Sequence, residues 1–526
     1  MDFDPLSTNA ITLQHFLEEG AITSVQIIAT CLTQIERHNS ALNAFISLAP
    51  REKLLSQAAV LDEERRANRC RGHLHGIPIV LKASHHWLDC FVTSHELGMP
   101  TTAGSFAFLA AKATKNSGLV QKLMDAGMII LGKSNMTELC GMKLMTTPGR
   151  SAVAGQTLSP YVGAIEGGES ILGHSSPGGS STGSAVAVAA GFSPLALGTE
   201  TIGSIMTPSS RAALYAIKPT TGRQDTSGMY RMTEFFDSFG PMAKSPADLA
   251  SLLEIILGRP FQDAGILLSD KWDGLAVGFV DPDIWKLGPE MCKQKDGTLE
   301  QMVGDYESMI SVIRRDGCSV KYPIELPDCS VLTIDEQDAI MSIACMSPSP
   351  FARVRIDTAY ADPADWEFKH IGLLKFIEAF DDCPIKSLED LIQFNKDHAE
   401  QAMPPPHTDQ ADLIKAQERN EPAGEIKLLG EKLRAKAKQI LDQIFKKENV
   451  DLIAAPVDSA FCIYPAAAGY PLGHVPLGQL NYNGRPFGLC LMARADDEET
   501  LLRFMSAYES ATPARPVPNL SCEVIP

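Results

Sequence analysis

The sequence predicts an α/β protein with a layered core, because short apolar runs alternate with longer segments of helical periodicity. The runs typical of buried strands cover residues 77–81, 128–131, 275–280 and 451–455, and Pro456 ends the last of them. The helical segments cover residues 12–37 (as two helices), 118–126, 184–190, 249–257, 298–315 and 424–446.

Capping residues and the spacing of apolar side chains support the helices. Thr23 and Ser24 suit the start of the second helix in 12–37, because a hydroxyl can accept from an unpaired backbone N–H. Residues 184–190 are small and apolar, which is typical of a helix packed closely on its neighbours. In 424–446 one face carries the apolar residues Ile426, Leu429, Leu433, Ile440 and Ile444.

The composition excludes several classes of protein. The chain has 526 residues, 44% hydrophobic and 21% charged, as in an ordinary globular protein. A net charge of −18 argues against a nucleic-acid or anionic-membrane partner. No apolar run is long enough to cross a membrane and no amino-terminal signal is visible, so a cytoplasmic protein is expected. The 12 cysteines include no C-x-x-C pair and are expected to be buried thiols.

A single domain covering residues 1–526 is expected, because no clean linker divides the chain. Its core is placed at about 10–257 and 451–510. The segment at about 258–450 is more charged and less regular, and it includes three consecutive prolines at 404–406. We expect this segment to form a helical cap or insertion. A homodimer is compatible with the sequence.

Residues 170–199 contain no Asp, Glu, Lys or Arg, and within them lies the small-residue string SPGGSSTGS at 176–184. Such a string lets the backbone approach a ligand closely. A P-loop is excluded, since no Gly-Lys-Ser/Thr follows the glycines. The string also contains G-x-S-x-G, which is compatible with a nucleophile elbow at Ser181. An elbow should follow a hydrophobic strand, and residues 171–177 do not have the sequence of one. It also needs a later histidine, and no downstream histidine lies in a recognisable catalytic motif.

Lys82 and Ser204 are two further candidate functional residues. Lys82 ends the apolar run 77–81, where it is either a lysine that extends to solvent or a functional amine. Ser204 lies in the turn GTETIGSI at 198–205, which alone indicates only a capped turn.

Together these features resemble the amidase signature family, and the resemblance extends over most of the chain. The matching segments are GIPIVLK (76–82), TTAGS (101–105), AGMIILGKSNMTEL (126–139), SPGGSSTGSAVAVAAGFSPLALGTETIGSI (176–205), IKPTTGR (217–223), GPMAKSPADLASLL (240–253) and NGRPFGLCLMARADDEETLL (483–502). The resemblance implies a large mixed β-sheet covered by helices on both faces. It also implies hydrolysis of the C–N bond of a carboxylic amide through an acyl-enzyme, without a metal or other cofactor.

The resemblance assigns roles to particular residues. Lys82 matches the catalytic lysine, Ser180 the bridging serine after a cis peptide bond, and Ser204 the nucleophile. The backbone N–H groups of Thr201, Ile202, Gly203 and Ser204 are expected to hold the oxyanion. Gly179, Ser181 and Glu200 are expected to support these groups from behind.

The sequence departs from the family pattern around the nucleophile. Ile202-Gly203 replaces Gly-Gly, Glu200 replaces Asp, and Met206 replaces an arginine that often pairs with that acid. Ala83-Ser84 replaces Asp-Asn after the lysine, and about eight extra residues follow. If the turn needs a positive φ at position 202, isoleucine would be strained there. These changes indicate an atypical or specialised small-molecule amide or ester as substrate.

Other functions stay open. The same acyl-enzyme serves an acyltransferase, an amidotransferase or an ester hydrolase, and a catalytically silent binding protein is a further alternative. A transition-metal cluster is another hypothesis, although its spacing matches no structural zinc pattern and a loop is favoured. Its ligands would come from His73, His75, His85, His86 and His95, with Asp89 and Cys90 between them.

Overall fold

An 11-stranded mixed sheet forms the centre of the computed structural model. The structure describes residues 2–82, 91–143, 147–229, 231–261, 268–334, 337–338 and 363–520. The strands of the sheet are β1 (Phe45–Leu48), β2 (Pro78–Lys82), β3 (Ile129–Ser134), β6 (Leu195–Glu200), β7 (Tyr215–Lys218), β8 (Ser238–Ala243), β9 (Ala276–Val280), β10 (Ser319–Ile324), β13 (Leu452–Pro456), β14 (Leu472–Gln479) and β15 (Pro486–Met492). Two short pairs lie outside it, β4 (Arg150–Ser151) with β5 (Gly155–Gln156) and β11 (Thr333–Ile334) with β12 (Gln337–Asp338).

The strand order is β1-β3-β2-β6-β8-β7-β14-β15-β13-β9-β10. Strands β3, β2 and β6 run parallel to one another, as do β13, β9 and β10, and the remaining neighbours are antiparallel. All five residues of β2 and all six of β6 are buried, as expected of parallel strands covered by helices. The predicted α/β class with a large mixed sheet is therefore confirmed.

The helices lie close to their predicted positions. Their bounds are α1 (Ala10–Glu18), α2 (Ser24–Leu42), α3 (Arg51–Arg66), α4 (Gly118–Asp125), α5 (Thr182–Ala189), α6 (Met206–Arg211), α7 (Pro246–Leu257), α8 (Thr298–Arg315), α9 (Pro363–Glu367), α10 (Leu373–Glu378), α11 (Leu388–Asp397), α12 (Ala399–Ala402), α13 (Ala411–Glu418), α14 (Ala423–Glu448), α15 (Ile463–Ala468) and α16 (Glu498–Ala511). Thr23 caps α2 through a capping box with Gln26. Helix α5, in which every residue is buried, packs on β6 and β2.

The segment 258–450 is not purely a helical cap. Strands β9 and β10 lie inside it and belong to the main sheet, where β9 pairs in parallel with both β10 and β13. Helices fill most of the described stretch from 363 to 448. Side chains of residues 368–416 share a second hydrophobic cluster with residues 92–142. The sequence predicts the first of these two strands from the apolar run 275–280, and both strands lie beyond the expected start of the cap at 258.

No helix among the described residues is long and apolar enough to cross a membrane. Nine cysteines are described, none of which forms a disulfide, and seven of these are buried.

His474 on β14 gives the fold a testable dependence on pH. Its Nδ1 lies 2.6 Å from the carbonyl oxygen of Leu214, whereas its buried Nε2 has no partner within the described residues. Burial lowers the pKa of His474 to about 4, below the usual value near 6.5. Between these two values the unfolded chain binds a proton that the folded chain does not, so stability falls as the pH falls.

We expect lowering the pH from about 6.5 to 5 to remove about 1.5 kcal/mol of folding free energy through His474 alone. His474→Gln should lack this contribution, so its stability should fall less over that interval than the parent's. Urea unfolding of both proteins at the two pH values measures the difference. If the free energy of unfolding fell equally in parent and variant, His474 would be excluded as the titrating group.

Candidate active site

Lys82 ends the central strand β2, and its ammonium group is fully enclosed. Its Nζ lies 2.8 Å from Ser180 Oγ, 2.9 Å from Thr199 Oγ1 and 3.1 Å from the carbonyl oxygen of Thr199. No carboxylate forms an ion pair with it among the residues that the structure describes. Neighbouring β6 brings Thr199 to this position, because β2 and β6 are paired in register through Leu81 and Leu197.

Ser180 reaches Lys82 from the small-residue segment before α5. The peptide bond between Gly179 and Ser180 is cis, as the resemblance implies. A Cβ atom at position 179 would stand 2.5 Å from Thr137 Oγ1, so a larger residue there would force the Thr137 side chain to move. The Ser180 carbonyl accepts a hydrogen bond from Thr137 N at 3.2 Å, which anchors the segment to the residues after β3.

Residues 201–205 connect β6 to α6 and are called the Ser204 loop below. Glu200, at the end of β6, is buried, and its Oε2 accepts from the backbone N–H groups of Ile205 at 2.7 Å and Met206 at 3.0 Å. Ser204 is partly exposed, and its carbonyl accepts from Ser181 N at 3.1 Å. This bond joins the loop to the segment that carries Ser180.

The departures from the family pattern have a structural explanation. The positive φ in the loop belongs to Gly203 (φ 78°), and Ile202 is not among the residues with a positive φ. The strain considered for Ile202 is therefore absent. The carboxylate of Glu200 bonds the backbone N–H of Met206, so the loop is held without the arginine that is usual there.

The Ser204 loop presents unused donors. Within the described part of the chain, the backbone N–H groups of Thr201, Ile202, Gly203 and Ser204 have no hydrogen-bond acceptor. The Ser204 hydroxyl likewise has no partner there. A cluster of free N–H groups beside a free hydroxyl can stabilise negative charge that develops on a carbonyl oxygen.

Ser181, the alternative nucleophile, is fully buried and its hydroxyl is already used. Its Oγ donates to the carbonyl of Thr199 at 3.0 Å and accepts from Thr199 N at 3.2 Å. An elbow serine would instead be exposed at the end of a strand. This environment does not favour the elbow, and the two hydrogen bonds of the Ser181 hydroxyl hold the backbone of Thr199.

Of the five histidines in the hypothetical metal cluster, the structure describes His73, His75 and His95, and these three form no metal-binding group. His75 Nε2 bonds the carbonyl of Leu61, and His95 Nδ1 bonds the carbonyl of Ala113. His85, His86, Asp89 and Cys90 lie outside the described residues, as do Ala83 and Ser84. Among the described residues no group of three or more His, Cys, Asp or Glu side chains could hold a metal ion.

Two residues near the site were not predicted. Thr199 provides two of the three partners of Lys82, and Asp237 accepts a hydrogen bond from Thr201 Oγ1 at 2.7 Å. Burial raises the pKa of Asp237 to about 7. No sequence signal singles out Asp237, because it lies in a different segment and aspartate is common.

Comparison with known proteins identifies the family of this chain. The family model described as Amidase matches residues 26–302, more than half of the 526-residue chain. The chain therefore belongs to the amidase family and is an amide-hydrolysing enzyme.

Its relatives include enzymes of related activity. A probable amidase of Arabidopsis thaliana is 28% identical over 95% of this chain and 89% of its own length. The solved structure of a peptide amidase from Stenotrophomonas maltophilia superposes with a TM-score of 0.80 at 28% identity, covering 99% of this chain and all of the other. One component of the glutamyl-tRNA(Gln) amidotransferase of Chloroflexus aurantiacus is 35% identical over 250 residues, 48% of this chain and 46% of that protein.

Proposed function

We propose that Ser204 is the nucleophile of this amidase and that Ser180 and Lys82 form its proton relay. The observation that carries the proposal is the 2.8 Å hydrogen bond between Lys82 Nζ and Ser180 Oγ, on a segment bonded directly to Ser204. A serine hydroxyl is a weak nucleophile and needs a base within reach. Lys82 is the buried amine next to this segment.

The partners of Lys82 suit both states of a base. As an ammonium it donates one proton to each of its three partners. As a neutral amine it donates to the carbonyl and hydroxyl of Thr199 and accepts from the Ser180 hydroxyl. The Thr199 carbonyl can only accept a hydrogen bond, whereas the hydroxyls of Thr199 and Ser180 can donate or accept. Lys82 therefore keeps all three hydrogen bonds when it gains or loses a proton.

The proposed reaction begins when Ser204 Oγ attacks the amide carbonyl carbon. Its proton passes to Ser180 Oγ while the Ser180 proton passes to Lys82 Nζ. The free N–H groups of the Ser204 loop hold the carbonyl oxygen as it becomes an oxyanion. When the C–N bond breaks, the relay returns a proton to the leaving amine and an ester of Ser204 remains. Water then attacks this ester by the same relay, which releases the acid and restores Ser204.

We propose water as the acyl acceptor and a linear carboxylic amide as the substrate. The structural similarity to the peptide amidase covers both chains almost completely. The sequence match to the amidotransferase relative covers only about half of each chain. Transfer to an amine would pass through the same ester, so added hydroxylamine should divert part of the product to a hydroxamate.

Labelling with a fluorophosphonate tests the nucleophile. Incubation followed by peptide mass mapping is expected to find one modified residue, Ser204, because this residue is partly exposed and its hydroxyl has no hydrogen-bond partner among the described residues. Modification of Ser181 would support the elbow instead. Absence of a label, together with parental activity in Ser204→Ala, would overturn the proposal.

A further inference from the structure

Asp237 is a partly buried carboxylate at the Ser204 loop that the proposed reaction does not use. It lies immediately before β8, and its Oδ1 accepts from Thr201 Oγ1 at 2.7 Å. Its Oδ2 accepts from the backbone N–H groups of Met232 and Thr233. Thr201 lies three positions before Ser204, so this carboxylate is bonded directly to the Ser204 loop.

Asp237 has no cationic partner among the described residues. Two buried carboxylates elsewhere do have one: Asp458 lies between Arg211 and Arg485, and Glu138 pairs with Lys143. Glu200 and Asp248, by contrast, accept from backbone N–H groups, as Asp237 does. Burial raises the pKa of the Asp237 carboxyl to about 7, which indicates that its surroundings accommodate the negative charge poorly. A carboxylate in this state gains more from an added cation than an exposed one does.

The titratable groups on adjoining segments do not supply that cation. The Cys140 thiol, on the turn after β3, raises the pKa of Asp237 further. The charged groups near residues 231–235 have partners of their own. Arg231 and Lys375 pair with Glu234. Glu367 accepts from the backbone N–H groups of Glu234 and Phe235.

We propose that Asp237 determines substrate specificity by binding a primary ammonium group on the acyl chain of the amide. Oδ1 accepts from a single side chain and keeps one lone pair for a substrate donor. An ammonium bound there would form a charge-assisted hydrogen bond close to the loop that receives the carbonyl. The net charge of −18 also favours the approach of a cation. The proposal rests on the proposed function of Ser204.

Matched pairs of primary amides test this specificity. The probes are 4-aminobutanamide, 5-aminopentanamide and 6-aminohexanamide, compared with pentanamide, hexanamide and heptanamide, in which a methyl group replaces the ammonium. At about pH 8 we expect kcat/KM to favour the amino compound at least about tenfold for one chain length. Asp237→Asn should reduce this ratio to about one, mainly through KM, and the ratio cancels any general loss of activity.

Two more comparisons separate recognition from loop support. Thr201→Val removes the hydroxyl but keeps the carboxylate, so the preference should persist even where turnover falls. In the parent the preference should also weaken below about pH 6, because Asp237 is then protonated while the substrate amine stays charged. Asp237→Glu should shift the preferred chain by about one methylene, which provides a second variant if Asp237→Asn fails to fold.

No preference at any chain length in the parent, or an equal preference in Asp237→Asn, would overturn the inference. Fluorophosphonate labelling of Ser204 and hydrolysis of the alkyl amides report on the proposed function separately. If both succeed while the preference is absent, only the role of Asp237 is excluded.

Discussion

Lys82→Met is expected to lower kcat/KM for amide hydrolysis by about 10³- to 10⁴-fold, the usual effect of removing a general base. Methionine has nearly the volume of lysine, so β2 should keep its packing while Ser180 and Thr199 lose their shared partner. We expect circular dichroism to show an unchanged fold. Steady-state kinetics with a primary amide measures the effect.

Lys244→Met is the matched control for this loss. Lys244 is also a buried lysine, but its Nζ donates to the carbonyl oxygens of Pro5 and Thr8 and contacts neither serine. The control should lose stability without losing orders of magnitude in activity. A Lys82→Met enzyme with parental kcat/KM would remove the lysine from the mechanism.

Ser204→Ala is expected to lower kcat by about 10⁴-fold or more, because no other hydroxyl should replace the nucleophile. Its stability should hardly change, since the Ser204 hydroxyl has no hydrogen-bond partner among the described residues. Kinetics, fluorophosphonate labelling and thermal unfolding of the same sample measure the three effects together.

Ser181→Ala provides the contrast to Ser204→Ala. It removes two hydrogen bonds to the backbone of Thr199, so it should lower stability and reduce activity only partly. If Ser181→Ala abolished labelling while Ser204→Ala retained it, the two serines would have to exchange roles.

Strands that consist of apolar residues were predictable, and strands built around glycine and proline were not. The run 77–81 predicts β2 to within one residue. By contrast, β8 contains Gly240 and Pro241, residues that normally disfavour a central strand. It forms nevertheless, because β6 on one side and β7 on the other complete its pairing.

The local sequence likewise predicts only some residues of the candidate site. Lys82, Ser180 and Ser204 were predicted because they occur in segments that resemble one family. Asp237 was not, because its proximity to Thr201 depends on how β6 and β8 pair rather than on any local pattern. Contacts between distant segments are created by the sheet, and the local sequence does not encode them.

The position of the single positive φ in the Ser204 loop has a consequence for protein engineering. Only Gly203 adopts that conformation, so position 202 does not require glycine, and any residue other than proline also keeps its backbone N–H. Ile202 is partly buried and lies two residues before Ser204, the proposed nucleophile. A library of substitutions at this one position could therefore vary the size of the accepted acyl group while the shape of the loop is preserved.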